Sequence, residues 1–290
     1  MSAFSERVYS QYMNFFEDAE RTRRWNVFND VPWDKIESSP KDPVLAMCAE
    51  TFCGVEMYLP DYVAEGINLM RQSFGQAWFS ANWGYEESKH TLALREYLVR
   101  TGQRTAEDLR EYERTILGKK WTKPFTTPRQ MTIYGMLQEL TTFVIYKKHK
   151  RFAKEKGDEL LASIYGLISR DEIAHMKFYA DVTQLELEED PVGTKRDLAF
   201  VFKHFTMPAH DLVPDYDNRI ALMRSVGVDR GVFLRECWLP LLKRLGLTRH
   251  DLPVIRPEFG DAGSSESRSA AKSAKPPGSN DGSSAASGSA

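Results

Sequence analysis

The chain has 290 residues, 42% of them apolar and 28% charged, a composition that excludes disorder over the whole length and suffices for a substantial core. Its formal net charge of −2 gives the molecule as a whole no attraction for nucleic acid or an anionic membrane. No stretch approaches the roughly 18 consecutive apolar residues of a membrane span, and the first residues lack the layout of a signal peptide. We therefore expect a cytoplasmic protein with no membrane span and no nucleic-acid partner.

The cysteine content agrees with that location. Cys48, Cys53 and Cys237 form an odd and sparse set, which is too small for a disulfide framework in a chain of this length. Such a set favours a reducing compartment. We expect all three to be thiols that fill the core.

Composition and periodicity divide the chain into one domain, 1–258, and a Gly-, Ser- and Ala-rich tail, 259–290, which we expect to be disordered. Within the domain, long proline-poor stretches follow the 3.6-residue apolar period of an α-helix. In chain order the pattern predicts helices at about 43–74, 76–100, 105–118, 127–156, 158–188, 194–206, 216–226 and 229–245. The first is expected to bend at Pro60. Four of these helices have 25 residues or more, which predicts an all-α bundle.

Two of the long helices carry a glutamate followed three residues later by a histidine: Glu87 with His90, and Glu172 with His175. Residues three apart share one face of a helix, so each pair can offer a carboxylate oxygen and an imidazole nitrogen to one metal ion. Both pairs have apolar neighbours, where an unpaired ionised glutamate would be costly to bury. Taken alone, either pair is equally compatible with a surface acid beside a core histidine.

The other two long helices each carry a glutamate in a largely uncharged run, Glu56 and Glu139. The spacings repeat: positions 56 and 139 are 83 apart, 87 and 172 are 85 apart, and 90 and 175 are 85 apart. Four glutamates and two histidines on four helices form the ligand set of ferritin-like di-iron and di-manganese proteins. The sequence therefore predicts a ferritin-like four-helix bundle core with additional helices. The site inside the bundle would hold two ions of iron or manganese rather than a thiolate-bound zinc ion.

The segments around these residues resemble the soluble acyl-[acyl-carrier-protein] desaturase family, in its bacterial form. The family patterns WxxEENRH, DEKRH, QERATF and EEALPTY are matched by WGYEESKH at 83–90, DEIAH at 171–175, QELTTF at 138–143 and EMYLPDY at 56–62. The resemblance covers about residues 20–215, from the segment around Trp25 to the literal match MPAH at 207–210. The chain differs from the family in Ser88 and Lys89, and in having one glutamate rather than two at position 56.

This resemblance implies a role for each candidate residue. Glu87 and Glu172 would bridge two irons, with Glu56 and His90 completing the ligands of one and Glu139 and His175 those of the other. Asp171 would accept a hydrogen bond from His90, and Trp25 would extend that chain towards the surface as a path for electrons. Thr142, on the same helix face as Glu139, would help to deliver protons while oxygen is activated.

The family also implies an activity and partners. The protein would be a desaturase that uses two Fe²⁺ ions and O₂ to introduce a cis double bond into a saturated acyl chain on acyl carrier protein, with electrons from ferredoxin, and it would be a homodimer. Two basic groups are candidates for docking the acidic carrier: 147–151 extended by Lys154 and Lys156, and Arg21, Arg23 and Arg24. The first group would equally suit a solvated helix end. The segment 207–210 would shape the acyl tunnel.

Three other functions stay open at this point. They are a di-iron hydroxylase or N-oxygenase acting on a carrier-bound or free substrate, a non-catalytic iron-storage protein, and a helical adaptor that binds no metal. The helices expected after residue 190 and the predicted tail fit a cage-forming storage protein poorly. Product analysis separates desaturation from oxygenation, and metal analysis separates both from the adaptor.

Overall fold

The computed structural model describes residues 2–122, 125–207 and 212–254, and every regular element within them is helical. The α-helices are α1 (Ala3–Asp18), α2 (Pro43–Glu56), α3 (Leu59–Leu69), α4 (Phe74–Arg100), α5 (Ala106–Leu117), α6 (Pro128–Glu155), α7 (Glu159–Glu189), α8 (Pro191–His204), α9 (Tyr216–Ser225), α10 (Arg230–Val232) and α11 (Leu239–Arg244). Short π-helical segments follow α1 and join α10 to α11. The all-α prediction is confirmed. None of the described helices is long and apolar enough to cross a membrane.

Four helices form the central bundle, because α2 packs against α4, α4 packs against α7, and α6 and α7 form a hairpin with the most extensive contact in the fold. The hairpin turn follows α6 at Gly157, whose φ of +80° favours glycine. Around this core, α1 covers α4 and α7, α3 lies on α4, and α8 lies on α6 and α7. The core of the bundle thus lies between α2, α4, α6 and α7.

The prediction of one bent helix over 43–74 is wrong. The chain leaves helical geometry at Met57 and Tyr58 and starts a new helix at Leu59. In a continuous helix, Pro60 would lack a donor and would clash with the carbonyl group of Glu56. In the structure it occupies the first turn of α3, where the missing N–H is not needed. As a consequence, Glu56 is the last residue of α2.

The sequence analysis missed α1. Its buried residues Val8, Tyr12 and Phe15, with Ala19 directly after the helix, recur at helical spacing, and Ser2 caps the helix by accepting a hydrogen bond from the Ser5 N–H. The backbone of α1 approaches α4 closely, since a Cβ atom on residue 75 would lie 2.8 Å from the carbonyl oxygen of residue 8. By this packing α1 brings residues 23–25 to the bundle.

Two predictions lie outside the described residues. These are the tail at 259–290, with the domain boundary at 258, and most of the segment 207–210. In contrast, the three cysteines are described, and all are free and buried as expected.

Candidate metal centre

All six predicted ligands converge inside the bundle. They form two overlapping groups of four, and in each group the nearest ligand atoms all lie within 4.8 Å of one another. One group contains Glu56, Glu87, His90 and Glu172, and the other contains Glu87, Glu139, Glu172 and His175. The two shared residues, Glu87 and Glu172, are the pair assigned as bridges from the family resemblance. Each of the six residues is at most 5% exposed.

Both histidines direct their Nδ1 atoms into the carboxylate cluster. The Nδ1 atom of His90 lies 3.1 Å from Glu87 Oε2 and 3.4 Å from Glu172 Oε1. The Nδ1 atom of His175 lies 3.0 Å from Glu87 Oε1 and 3.2 Å from Glu139 Oε2. A metal ion among these carboxylates would therefore meet Nδ1 as its nitrogen donor on either side.

The opposite ring nitrogens are held by two further acids. His90 Nε2 lies 3.3 Å from Asp171 Oδ2, and His175 Nε2 lies 2.7 Å from Glu86 Oε2. Each acid precedes a bridging candidate in sequence and contacts the histidine of the other helix. A carboxylate in this position fixes the tautomer and orientation of a metal-binding imidazole. The sequence analysis gave Glu86 no role, although acid-Glu-x-x-His occurs in both halves and would have indicated it.

Trp25 contacts Asp171 as expected. Its Nε1–H donates to Asp171 Oδ2 at 2.6 Å, so Trp25, Asp171 and His90 form one hydrogen-bonded chain. Trp25 is buried, and it also lines a pocket at the surface with Tyr85. The chain of contacts therefore extends from the metal centre towards the outside of the bundle.

Arg23 is a buried counter-ion, which corrects its prediction as part of a docking patch. It is 5% exposed, and its guanidinium donates to Asp171 Oδ1 at 2.8 Å and to Glu86 Oε2 at 3.2 Å. Arg24 also donates to Glu86, and Arg21 pairs with Glu17. The three arginines do not form a continuous free surface, because the π-helical segment after α1 turns Arg23 inwards.

Thr142 lies in the centre. Its Oγ1 atom is 2.6 Å from Glu172 Oε2 and 3.0 Å from the carbonyl oxygen of Glu139, and its single proton can serve one of them at a time. The adjacent Thr141 donates to its own helix, at the carbonyl of Leu137. The helix geometry thus directs Thr142, and not Thr141, at the carboxylate of Glu172.

Tyr146 is a further contact that the sequence analysis missed. Its hydroxyl donates to Glu56 Oε1 at 2.6 Å, and the side chain is fully buried. The residue follows Glu139 by seven positions, so it lies on the same face of α6, two turns along. This seven-residue spacing is the sequence pattern that could have indicated Tyr146.

The buried carboxyl groups of the cluster shift one another's pKa values. Burial, reinforced by the charge of Glu87, raises the pKa of Glu56, Glu139 and Glu172. Burial also acts on Glu87, but the two histidines outweigh it and lower the pKa of that carboxyl. Conversely, the charge of Glu87 and the hydrogen bond to Asp171 overcome burial and raise the pKa of His90 to about 10.

The donor set fits two divalent cations. Glu172 Oε1 is buried and has no hydrogen-bond partner, and Glu87 Oε1 lies near His175 without hydrogen-bond geometry. Such atoms are costly to bury unless something else binds them. Carboxylate oxygens with two imidazoles suit iron or manganese. The residues therefore fit the group that the fold implies.

Two cavities reach the candidate centre. One, of about 320 Å³ and almost entirely apolar, extends from Glu56 between α3, α4 and α5, with Leu92 and Leu117 at its mouth. A narrower one reaches Glu139 and is lined by the aromatic rings of Tyr62, Trp83, Trp121, Tyr134 and Tyr179. Trp83, seven positions before His90, therefore forms part of the wall beside Glu139. Each cavity therefore ends at one of the candidate ligands, Glu56 or Glu139.

The basic group 147–151 is interrupted by His149. This side chain is buried between Phe52 and Tyr165, and neither ring nitrogen has a hydrogen-bond partner. Burial lowers the pKa of His149 to about 3. Lys148 forms an ion pair with Glu236, which compensates part of its charge.

Replacing His149 with leucine is expected to increase resistance to acid. The pKa of His149 is lower in the folded than in the unfolded protein, so its neutral form contributes stability above about pH 6.5, which is lost as the pH falls. The loss approaches about 1.4 kcal/mol per pH unit. Urea unfolding of both proteins at about pH 7 and about pH 4 measures this difference. The same change at exposed His204 is the control, and equal acid sensitivity of H149L and the unmodified protein would contradict the burial of a neutral ring.

Comparison with known proteins agrees with the fold and the centre. A family model described as fatty acid desaturase matches residues 35–245. DesA1 of Mycobacterium tuberculosis, named as an acyl-[acyl-carrier-protein] desaturase, is 25% identical over 264 residues, which cover 82% of this chain and 75% of that protein. The chloroplastic stearoyl-[acyl-carrier-protein] 9-desaturase 2 of Oryza sativa subsp. japonica is 33% identical over 225 residues, 73% of this chain. The chain spans 56% of that rice protein and 39% of an Arabidopsis thaliana relative that is 34% identical.

Solved structures share the fold. The X-ray structure of DesA2 from Mycobacterium tuberculosis superposes with a TM-score of 0.60 at 17% identity and covers 84% of this chain and 94% of that one. An R2-like ligand-binding oxidase with a Mn/Fe cofactor gives a TM-score of 0.53 at 15% identity, covering 83% and 93%. At these identities the similarity concerns the fold alone.

A helical bundle of this architecture, with four buried glutamates and two histidines between its central helices, defines a ferritin-like carboxylate protein. The matched family model identifies one family within this class, and it covers most of the described residues. The chain belongs to the acyl-[acyl-carrier-protein] desaturase family of oxidoreductases.

Proposed function

We propose that the protein is a di-iron, O₂-dependent desaturase that forms a cis double bond in a saturated acyl chain carried on acyl carrier protein, with electrons from ferredoxin. The observation that carries the proposal is the pair of overlapping four-residue groups that share Glu87 and Glu172. Membership of the desaturase family and the names of the relatives support the substrate class. The proposed domain is 1–258, with the tail from 259 outside it.

Each iron would take one terminal glutamate, one histidine and the two shared carboxylates. Two iron ions would supply the activation of O₂ that removal of hydrogen from an unactivated methylene requires, which no side chain provides. Asp171 and Glu86 would hold the two imidazoles, and Trp25 would lie on the electron path through Asp171. Thr142, hydrogen-bonded to Glu172, would move a proton at its Oγ1 atom.

The acyl chain would occupy the apolar cavity of about 320 Å³ that ends at Glu56. A saturated chain gains from burial against the apolar wall at Leu92 and Leu117, and the aromatic wall around Glu139 keeps water from the metals. An apolar environment also strengthens the electrostatic interactions among the ligands. The cavity therefore suits a substrate that has no polar group near the reacting carbons.

The cellular setting follows from the surface and the cysteines. Three free, buried thiols support a reducing, cytoplasmic location.

The helix α4 exposes Trp78, Tyr85 and Leu92, each about half exposed and seven residues apart, along one stripe. Trp78 and Tyr85 are the part of this stripe that a second copy of the chain would cover in a homodimer, which leaves the cavity mouth at Leu92 free. Light scattering of the purified protein measures the mass of the particle and so distinguishes a dimer from a monomer.

The decisive experiment is turnover of purified, iron-loaded protein with reduced ferredoxin, ¹⁸O₂ and a panel of saturated acyl-[acyl-carrier-protein] thioesters, followed by mass spectrometry. The expected product is an alkene two mass units lighter that contains no ¹⁸O, from protein with about two irons per chain. An ¹⁸O-labelled alcohol would instead establish a hydroxylase. Purified protein that holds a single zinc ion and is inert with all thioesters would overturn the proposal.

A further inference from the structure

A basic groove runs along the outside of the α6–α7 hairpin, away from the cavities described above. It has a volume of about 460 Å³ and is lined by five cationic side chains, Lys147, Lys150, Arg151, Lys154 and Arg170. No acidic side chain among the described residues lines it. Within the described part of the chain, the only ion pair of these five cations is that of Arg151 with Glu155. We call this feature the α6–α7 groove.

The helix dipole does not explain all of this charge. Cations in the last turn of a helix compensate its negative end, and the effect fades beyond that turn. Lys154 lies in the last turn of α6, which ends at Glu155. Lys147 and Lys150 lie one to two turns earlier, and Arg170 lies near the middle of α7. A concentration of positive charge on a chain of net charge −2 therefore points to an acidic partner at this face.

The groove adjoins the acids that hold the histidines. The Arg170 guanidinium donates to the carbonyl oxygen of Arg23 at 3.0 Å, and the Arg23 guanidinium donates to Asp171 at 2.8 Å. The apolar floor consists of Phe143 and Ile173, the residues that directly follow Thr142 and Glu172. A partner seated here thus lies beside the chain of Trp25, Asp171 and His90.

The position favours one class of acidic partner over another. A carrier protein must deliver its acyl chain into a cavity, but the groove shares no lining residue with the cavities at Glu56 and Glu139. An electron carrier has no chain to insert and needs only closeness to the metal ligands. The groove provides that closeness through Arg170, next to Asp171.

We propose that the α6–α7 groove is the docking surface for the electron donor, an acidic one-electron carrier protein that binds through Lys147, Lys150, Arg151, Lys154 and Arg170. The inference rests on the proposed function, because only a redox enzyme of this kind requires such a donor. The acyl carrier would dock elsewhere, at the mouth of an apolar cavity.

The test measures binding of an oxidised plant-type [2Fe–2S] ferredoxin to the iron-loaded full chain at low ionic strength. The double variant Lys150→Glu/Lys154→Glu is compared with Lys195→Glu/Arg196→Glu on α8, which changes the net charge by the same amount. We expect the groove variant to raise the dissociation constant about tenfold or more and the control to leave it nearly unchanged. For the unmodified protein, affinity should fall steeply with added salt. Iron content and circular dichroism verify that both variants fold.

Several outcomes would overturn the proposal. These are no binding of the probe, equal weakening by both double variants, an unchanged constant in the groove variant, or loss of acyl-carrier-protein binding in place of ferredoxin binding. Because binding needs no turnover, the result is separable from the proposed function. A protein that binds ferredoxin through the groove yet makes no alkene keeps the docking surface and loses the desaturase assignment.

Discussion

Replacing Glu139 with alanine is expected to abolish two-metal binding and lower activity at least about 100-fold, while the helical content stays the same. The change removes one of the four side chains of a candidate metal-binding group, so that only Glu87, Glu172 and His175 remain in it. Loss of a residue that merely orients a ligand already costs about 10-fold to 100-fold in metal affinity, so loss of the ligand itself should exceed that. Metal analysis and far-ultraviolet circular dichroism measure the two effects.

The same variant should make the metal-free protein more stable. Burial and the charge of Glu87 raise the pKa of Glu139, so the folded state without metal resists ionising this group. Glu139 also contacts His175 at 3.2 Å, but the pKa of its carboxyl is raised overall, so its removal should raise the urea midpoint of the apoprotein at neutral pH. The control is Glu155→Ala, an exposed glutamate at the end of the same helix. A Glu139→Ala protein with two bound metals and full activity would refute the metal-centre assignment.

The convergence of the six candidate side chains could be predicted from the sequence because their pattern is local and repeated. An isolated Glu-x-x-His is weak, but Glu56 followed by one such pair, and Glu139 followed by another at the same offset, constrains four helices at once. The helix bounds were close for the same reason, since caps such as Thr105 and Thr127 are read from neighbouring residues. The break before Leu59 was missed because Pro60 was interpreted as bending the helix.

Contacts between distant segments were harder to predict. Arg23 meets Glu86 and Asp171 across 63 and 148 residues, and no local pattern distinguishes it from the exposed Arg21. Its inward direction depends on the π-helical segment after α1, a helix that the analysis had not predicted. Three arginines in four positions therefore suggested a surface patch. Their actual environments are different, and this difference can be measured.

Replacing Arg23 with methionine is expected to destabilise the protein by about 3 kcal/mol. The side chain is 5% exposed and bridges two carboxylates that are fully buried, so methionine fills the volume but leaves Glu86 and Asp171 short of a counter-ion. The expected loss of stability is at the lower end of the range for breaking a buried ion pair, because Arg24 also contacts Glu86 and still compensates its charge. Urea unfolding of the apoprotein at neutral pH measures the change.

The matched control is Arg21→Met, from the same predicted patch. Arg21 is 74% exposed and pairs with a half-exposed Glu17, so its removal should change stability by no more than about 0.5 kcal/mol. Adding Glu86→Gln to Arg23→Met should restore part of the lost stability, since the double variant removes a charge together with its partner. If Arg23→Met were as mild as Arg21→Met, both arginines would act at the surface. The buried acids beside the histidines would then need another source of compensation.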